Sequence, residues 1–416
     1  MRKLAGVLAG LLAVGIAIGL GTNGARAAAS DVVVTGPGQS AAPNVRTFGA
    51  DGKSGGVSFD ANGSATSGVS VASGDINGDG NADIVTGTGP GVNAQVQVWS
   101  HDGNTLIAQA NPFPGFQGGI SVAAANEDET PQLEVIVAAG PGGGPHVKVL
   151  RLSGGQLVEE YSFMAYDPGF RGGVSVAGSG GRVITGAGPG GGPHVRVFHI
   201  SQGQVSVESE WMAYDPHFSG GVHVAAGAVR TPTGVDVVTG AGSGGGPHVK
   251  LWTLGGAEGP GLMAYDPKFS GGVFVAVGQG QKLITGAGAG GGPHVKVMTF
   301  ANNAFATVAQ FMAYDPNFTG GVHVGGFPAS TVPPTTTTAC TGIPPICLPG
   351  GGGDSTTTST TAHATTTSTT THATTTTTHP STTTTTTTHP TTTTTAAPTT
   401  TTSTTAAGGG LPIPIP

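Results

Sequence analysis

The sequence predicts an all-β fold, and specifically a β-propeller, from two repeated motifs and a strand-and-turn pattern. The first motif is Gly-Gly-Gly-Pro-His-Val, whose four copies place histidines 48, 54 and 46 residues apart, at His146, His194, His248 and His294. The second is Met-Ala-Tyr-Asp-Pro, whose four copies begin at Met164, Met212, Met263 and Met312. Short Val-rich runs alternate with Gly, Pro, Asn and Asp, as strands and turns do. A shared period near fifty residues indicates stacked supersecondary units.

The composition favours a turn-rich protein that does not bind nucleic acid. The chain has 416 residues, of which 76 are Gly and 9% are charged, and its net charge is -7. So much Gly favours tight turns over helices. Nucleic acid is excluded as an expected partner, because no cluster of Lys and Arg is present to neutralise phosphates. We expect a monomer.

Residues 1–29 have the pattern of a secretory signal. Arg2 and Lys3 precede an apolar stretch from Leu4 to Leu20, and small residues follow around Ala27. An uncleaved membrane anchor is the alternative. No later stretch is apolar enough to cross a bilayer, so we expect a secreted or cell-surface protein without a membrane span in the mature chain.

Each repeat unit contains four predicted strands. In one unit these are an a strand at 174–177, a b strand at 182–185, a c strand at 194–199 and a d strand that ends near Tyr214. The b strand leads into the Gly-Gly-Gly-Pro-His turn, and the d strand leads into the Asp-Pro turn. The a strands carry Ser, His or Phe between Val residues, and we expect them to line a central channel.

The number of units predicts six four-stranded blades within residues 30–328. Six a strands begin at Val69, Ile120, Val174, Val222, Val273 and Val322. The repeats start on a b strand at Asp31 and stop after an a strand at Val324. Pairing of these two ends would close a ring and remove its open sheet edges. An open solenoid with capping units is the alternative.

Residues 329–416 form a third segment, rich in Thr, Pro, Ala and Ser, in which Asp354 is the single charge. Such a composition cannot bury enough apolar surface to fold. We expect a disordered stalk, either O-glycosylated or unmodified. An oxidising compartment favours a small disulfide loop between Cys340 and Cys347, with free or intermolecular thiols as the alternative.

One loop has the pattern of a calcium site. Oxygen-bearing residues alternate around glycines between two predicted strands, in the order Asp75, Asn77, Asp79, Asn81, Asp83. Such side chains can converge on one Ca²⁺, with Asn81 contributing its backbone carbonyl. An EF-hand would need Glu at the position of Thr86 and flanking helices. A metal-free turn built on Asp and Asn is the other alternative.

The strand, the Asp-x-Asn-x-Asp-Gly-x-x-Asp loop, the next strand and the Gly-rich turn together resemble the FG-GAP or VCBS-type repeats of integrin-α-like β-propellers. The resemblance implies a secreted or surface-exposed propeller with calcium in the loop between the a and b strands, often concerned with adhesion. Propellers of that type commonly have seven blades, which is the alternative to the six counted here. One unit of this chain keeps the full calcium loop.

The two repeated motifs predict a candidate ligand face. In a propeller the b–c and d–a turns emerge on one face, which would gather two sets of residues: His146, His194, His248, His294, Tyr166, Tyr214, Tyr265 and Tyr314. Such a face could hold a cell-surface glycan or a protein. The alternative is structural, with Asp-Pro nucleating turns, Tyr packing between blades and His satisfying nearby backbone groups.

Catalysis is not expected, because an active site needs a unique acid, base or nucleophile, whereas these candidates recur in successive blades. The sequence therefore favours a calcium-stabilised binding or adhesion module. The alternatives are a structural envelope protein without a specific ligand and a polysaccharide lyase or hydrolase.

Overall fold

A computed structural model describes residues 31–61, 66–126 and 133–327. The predicted signal at 1–29, the Thr-rich segment at 329–416 and the Cys340–Cys347 pairing lie outside these residues. Among the described residues, no helix has the length and apolar character needed to cross a membrane.

The described chain contains six antiparallel sheets of four strands each, which confirms the six-bladed propeller. Blade 1 combines β24 (Val322–Gly326) with β1 (Asp31–Pro37), β2 (Asn44–Gly49) and β3 (Ser54–Asp60). The remaining blades each use four consecutive strands. Blade 2 has β4 (Val69–Gly74), β5 (Asp83–Thr88), β6 (Val96–Trp99) and β7 (Leu106–Ala110); blade 3 has β8 (Ile120–Ala125), β9 (Glu134–Ala139), β10 (His146–Ser153) and β11 (Gln156–Met164). Blade 4 has β12 (Val174–Gly178), β13 (Arg182–Ala187), β14 (His194–Ser201) and β15 (Gln204–Met212); blade 5 has β16 (Val222–Gly227), β17 (Asp236–Ala241), β18 (His248–Thr253) and β19 (Glu258–Met263); blade 6 has β20 (Val273–Gly278), β21 (Lys282–Ala287), β22 (His294–Ala301) and β23 (Ala304–Met312).

The ring closes as predicted, because the two ends of the propeller pair in blade 1. Strand β24 runs antiparallel to β1, with Val33 opposite Gly326 and Pro37 opposite Val322. The Ser73 hydroxyl of blade 2 also donates a hydrogen bond to the Gly326 carbonyl at 2.8 Å. The inner edge of β1 is therefore paired, and no capping unit is needed at this point of the ring.

The core consists of apolar clusters between neighbouring blades. The b strands β5, β9 and β17 are buried along their whole length, whereas the c strands alternate between buried Val and partly exposed residues. A b-strand glycine allows close stacking: a Cβ on Gly186 would lie 2.4 Å from the Val222 carbonyl oxygen of the next blade. Apolar burial between blades is thus continuous around the ring.

The b–c and d–a turns lie on one face of the propeller, as predicted. The amide of Gly190, in the b–c turn of blade 4, donates to the Ser219 carbonyl in the d–a turn that follows, at 2.8 Å. Gly190 has φ 88°, a value that L side chains rarely adopt, and Gly142, Gly244 and Gly290 are similar. We call this side of the molecule the turn face. The a–b loops, including residues 75–82, lie on the opposite side, which we call the loop face.

Candidate functional site

The predicted calcium loop is a series of turns held by its own Asp and Asn side chains. The Asp75 carboxylate accepts the amides of Gly78 and Gly80 at 2.8 and 2.9 Å. Asn77 Oδ1 accepts the Asp79 amide, and Asp79 Oδ1 accepts the Asn81 amide, both at 2.8 Å. These bonds bring the loop's acceptor oxygens into one bend. In the described residues no three side chains of the His, Cys, Asp and Glu types are already placed to hold an ion.

Asp83 carries the clearest electrostatic signal in this loop. It is fully buried at the start of β5, and its Oδ2 accepts the amides of Ile76 and Asn77 at 3.0 and 3.1 Å. Its Oδ1 accepts no hydrogen bond from any described residue. Burial raises the pKa of the Asp83 carboxyl to about 7, and the charges of Asp79 and Asp75 add to that rise. A buried carboxylate with an unpartnered oxygen is costly unless a cation compensates it.

Blade 5 has an internal cation at the equivalent place. Asp236 begins β17 as Asp83 begins β5, and its Oδ2 accepts the amides of Val229 and Arg230 at 3.2 and 2.8 Å. Its Oδ1, however, is bound by the Arg230 guanidinium, with Nε at 2.6 Å and Nη2 at 2.5 Å. The two blades therefore share one carboxylate geometry, but in blade 2 no described residue donates a hydrogen bond to Asp83 Oδ1. The Asp83 site thus has the donor chemistry and the charge that suit a hard cation.

The predicted His and Tyr residues meet across blade boundaries. The Tyr166 ring of blade 3 lies 5.5 Å from the His194 ring of blade 4, between centroids. Tyr214 with His248 and Tyr265 with His294 repeat this at 5.6 and 5.3 Å. At the other boundaries the pattern changes. Phe113 replaces Tyr beside His146, and Tyr314 meets Asn44 instead of a histidine.

The tyrosine hydroxyls are engaged within the fold. Tyr166 Oη lies 3.0 Å from Thr185 Oγ1 and donates to the His194 carbonyl at 2.9 Å. Burial raises the pKa of the Tyr166 hydroxyl well above its usual range. The same two kinds of contact are made by Tyr214, Tyr265 and Tyr314. The tyrosines therefore join neighbouring blades through hydroxyls that face inward.

The histidines lie at the edge of the turn face and are half-buried. The His146 ring contacts the Ser162 hydroxyl at 2.7 Å, and His194 Nε2 lies 3.2 Å from a Glu210 carboxylate oxygen. Burial, followed by the nearby Lys148, lowers the pKa of His146. His194, His248 and His294 have a lowered pKa for the same reason, desolvation first and then a neighbouring Arg or Lys.

Four boundaries, from that between blades 2 and 3 to that between blades 5 and 6, also contain a cation and an exposed methionine, a grouping that was not predicted from the sequence. The Lys250 ammonium lies 5.6 Å from the Tyr214 ring centroid, and Met263 stands directly opposite His248 in the strand register. Together with Asp215 they line a pocket of about 270 Å³ between blades 4 and 5. The four equivalent methionines are 45–48% exposed, at Met164, Met212, Met263 and Met312. The sequence feature that predicts this grouping is the His-x-Lys or His-x-Arg spacing, because it puts both side chains on one face of a strand.

Comparisons with known proteins agree with this architecture. Residues 67–101, which contain the loop with β4, β5 and β6, match the FG-GAP repeat. No curated protein sequence matches the chain.

Three solved structures resemble the chain at low identity. A protein from Lactobacillus plantarum is 12% identical over 70% of this chain and 69% of that one, with TM-score 0.37. The WD40 domain of coronin from Toxoplasma gondii is 11% identical over 69% and 70%, with TM-score 0.44. A Bacteroides fragilis protein described as a candidate 6-phosphogluconolactonase is 11% identical over 70% and 84%, with TM-score 0.42. Similarity at these identities and TM-scores says nothing about the function of the chain. The chain is therefore a six-bladed β-propeller with a closed ring, and residues 67–101 in its second blade match the FG-GAP repeat.

Proposed function

We propose that the protein is an exported, calcium-stabilised propeller that binds a cell-surface glycan or protein through its turn face. The observation that carries this proposal is the recurrence of one set of side chains at the four boundaries from blades 2–3 to blades 5–6, with an open pocket between blades 4 and 5. Each set combines an exposed Met, a half-buried His and a Lys or Arg, beside a ring of the preceding blade that is Phe113 in the first set and a buried tyrosine in the other three. Exposed apolar groups beside hydrogen-bonding groups are typical of recognition surfaces.

The repetition of the same pocket residues in several blades favours a binding function over a catalytic one. A reaction needs one residue in a unique acid, base or nucleophile role, whereas the pocket residues repeat around the ring. Repeated weak sites instead suit a ligand with repeated units, since several contacts to one polymer raise the overall affinity.

The two ends of the propeller, at β1 and β24, lie on the face opposite the pockets, and this supports attachment to the cell surface on that side. Strand β1 begins and β24 ends on the loop face, where the Phe327 carbonyl accepts the Gln279 amide at 2.7 Å. Attachment through either end of the propeller therefore leaves the turn face free for a partner. The signal-like residues 1–29 support export of the chain.

We propose that bound calcium stabilises the fold of the propeller. Asp75, Asn77, Asp79 and Asp83 would hold it through side-chain oxygens, and Asn81 through its carbonyl. The unpartnered Asp83 Oδ1 and the matching Arg230–Asp236 pair in blade 5 support this assignment. When bound, the ion supplies the positive charge that Asp83 otherwise lacks.

Calcium binding is tested by thermal unfolding of the full chain with Ca²⁺ and with chelator. We expect Ca²⁺ to raise the melting temperature of the wild type by about 5 °C, and to have no effect on Asp83→Asn or Asp79→Ala. Asp236→Asn is the matched control: it should lower the melting temperature in both buffers and keep the calcium response. An unchanged response in Asp83→Asn contradicts the calcium site.

Ligand binding is tested with a panel of cell-surface glycans and cell-wall fractions, again with Ca²⁺ and with chelator. We expect saturable binding that weakens in Met212→Ala and His248→Ala. Val207→Ala is the control, because Val207 is equally exposed at 48% on β15 but lies outside the pocket. Absence of binding in both buffers, with a calcium response of the melting temperature alone, would contradict adhesion and leave a structural envelope protein.

A further inference from the structure

The central channel is asymmetric, although the blades around it repeat. The second residue of each inner strand faces the channel near the turn face. In blades 2 to 4 this residue is serine, at Ser70, Ser121 and Ser175. In blades 5, 6 and 1 it is His223, Phe274 and His323. We call these last three residues the aromatic arc.

The serines are used to join neighbouring inner strands. Ser70 Oγ donates to the Ile120 carbonyl at 2.7 Å. Ser121 Oγ accepts the Val176 amide, and Ser175 Oγ accepts the Val224 amide, both at 3.2 Å. Their hydroxyls are therefore committed to the fold.

The aromatic arc makes a continuous ring surface instead. The Phe274 ring centroid lies 4.3 Å from that of His223 and 4.1 Å from that of His323, at interplanar angles of 44° and 39°. Within the described residues neither imidazole makes a hydrogen bond. Both are partly exposed, and both line the channel, where their nitrogens can donate to or accept from a ligand.

The channel has the size and character of a small-molecule site. Its volume is about 900 Å³, within the range of about 300–1,000 Å³ that is common for such sites. Of the described residues that line it, none is Asp, Glu, Lys or Arg. Enclosure lowers the pKa of His223 to about 4 and that of His323 to about 3, so both imidazoles are neutral at neutral pH. An uncharged wall disfavours a charged ligand.

We propose that the aromatic arc of His223, Phe274 and His323 binds an uncharged aromatic small molecule that carries a hydroxyl group. The ring of the ligand packs against the channel-facing side of the Phe274 ring, and its hydroxyl bonds to a flanking imidazole. This site lies inside the channel, so it is separate from the pockets proposed to bind a glycan or protein.

The test is equilibrium dialysis of the full chain against 2-naphthol, with naphthalene-2-sulfonate as its charged counterpart. We expect saturable one-to-one binding of 2-naphthol and at least about tenfold weaker binding of the sulfonate. Phe274→Leu, which keeps an apolar side chain but removes the ring, should weaken 2-naphthol binding about fivefold.

Two further variants complete the design. His223→Ser installs the residue found in blades 2 to 4 and should also weaken binding, which keeps the test decisive if Phe274→Leu fails to fold. His217→Ser is the control, because that side chain is 98% exposed in a d–a turn, and it should bind as the wild type does. Absence of saturable 2-naphthol binding, equal binding of the sulfonate, or full affinity in both arc variants would overturn the proposal.

Discussion

At the scale of single residues, the buried carboxylate of Asp83 differs from that of Asp236 in the contacts of one oxygen. Its carboxylate accepts two backbone amides through Oδ2, as Asp236 does, yet its Oδ1 has no described donor. The pKa of about 7 means that, without a cation, the folded protein holds a proton on Asp83 that the unfolded chain releases near its ordinary pKa of 3.8. A group whose pKa is raised by folding makes the folded state less stable as pH rises between those values.

We therefore expect Asp83 to make the calcium-free protein less stable from about pH 4 to pH 7. His223 has the opposite sign: its lowered pKa gives stability that is present above its ordinary pKa of 6.5 and is lost as pH falls toward about 4. The measurement is the difference in melting temperature between wild type and Asp83→Asn, in chelator, across this range. The histidine contributions cancel in that difference. Parallel curves for the two proteins would contradict the raised pKa.

At the scale of strands and blades, four buried tyrosines connect neighbouring blades, from blade 3 round to blade 1. Tyr166 belongs to the turn after β11, while its hydroxyl partners Thr185 and His194 belong to β13 and β14. From the sequence, these residues could have either a structural role or a ligand-binding role. The tyrosine hydroxyls are hydrogen-bonded within the fold, which supports the structural role for Tyr. The histidines are half-buried and lie at the edge of the turn face.

Tyr166→Phe should lower the free energy of unfolding by about 1–3 kcal/mol, because it leaves buried groups without their hydrogen-bond partner. The measurement is urea unfolding, and Thr185→Val provides the second arm of a double-mutant cycle. The two substitutions remove one shared contact, so together they should cost less than the sum of their separate effects. Strict additivity would show that the Tyr166–Thr185 contact contributes nothing.

At the scale of the whole molecule, ring closure depends on the last described residues. Strand β24 completes blade 1, and Phe327 beyond it is buried in a cluster with Val34 of β1 and Ile84 of β5. Ile84 follows Asp83, so the closing end of the propeller packs against the blade that carries the predicted calcium loop.

Phe327→Ala should therefore lower the free energy of unfolding by about 3–5 kcal/mol, as loss of a buried ring does elsewhere. Urea unfolding of the full chain gives this value. Val308→Ala, at a side chain 49% exposed on β23, is the control and should change stability by less than about 0.5 kcal/mol. A Phe327→Ala protein as stable as this control would mean that closure does not depend on the cluster.

The sequence by itself determined the repeat unit, the count of six blades and the closure of the ring. Strand alternation and turn chemistry are local properties, and their repetition at a nearly constant period shows where each unit starts and stops. It also predicted a calcium site at residues 75–83, which stays a prediction, because ligand spacing within one short loop can be read from neighbouring residues.

The tertiary structure decided which groups meet between blades. It paired Tyr166 with His194 of the next blade, placed Arg230 on Asp236, and left Asp83 Oδ1 without a described partner. It also assembled His223, Phe274 and His323, which are about fifty residues apart in the chain, into one channel wall. Spacing along the chain does not report such contacts, because they depend on how neighbouring blades stack around the ring.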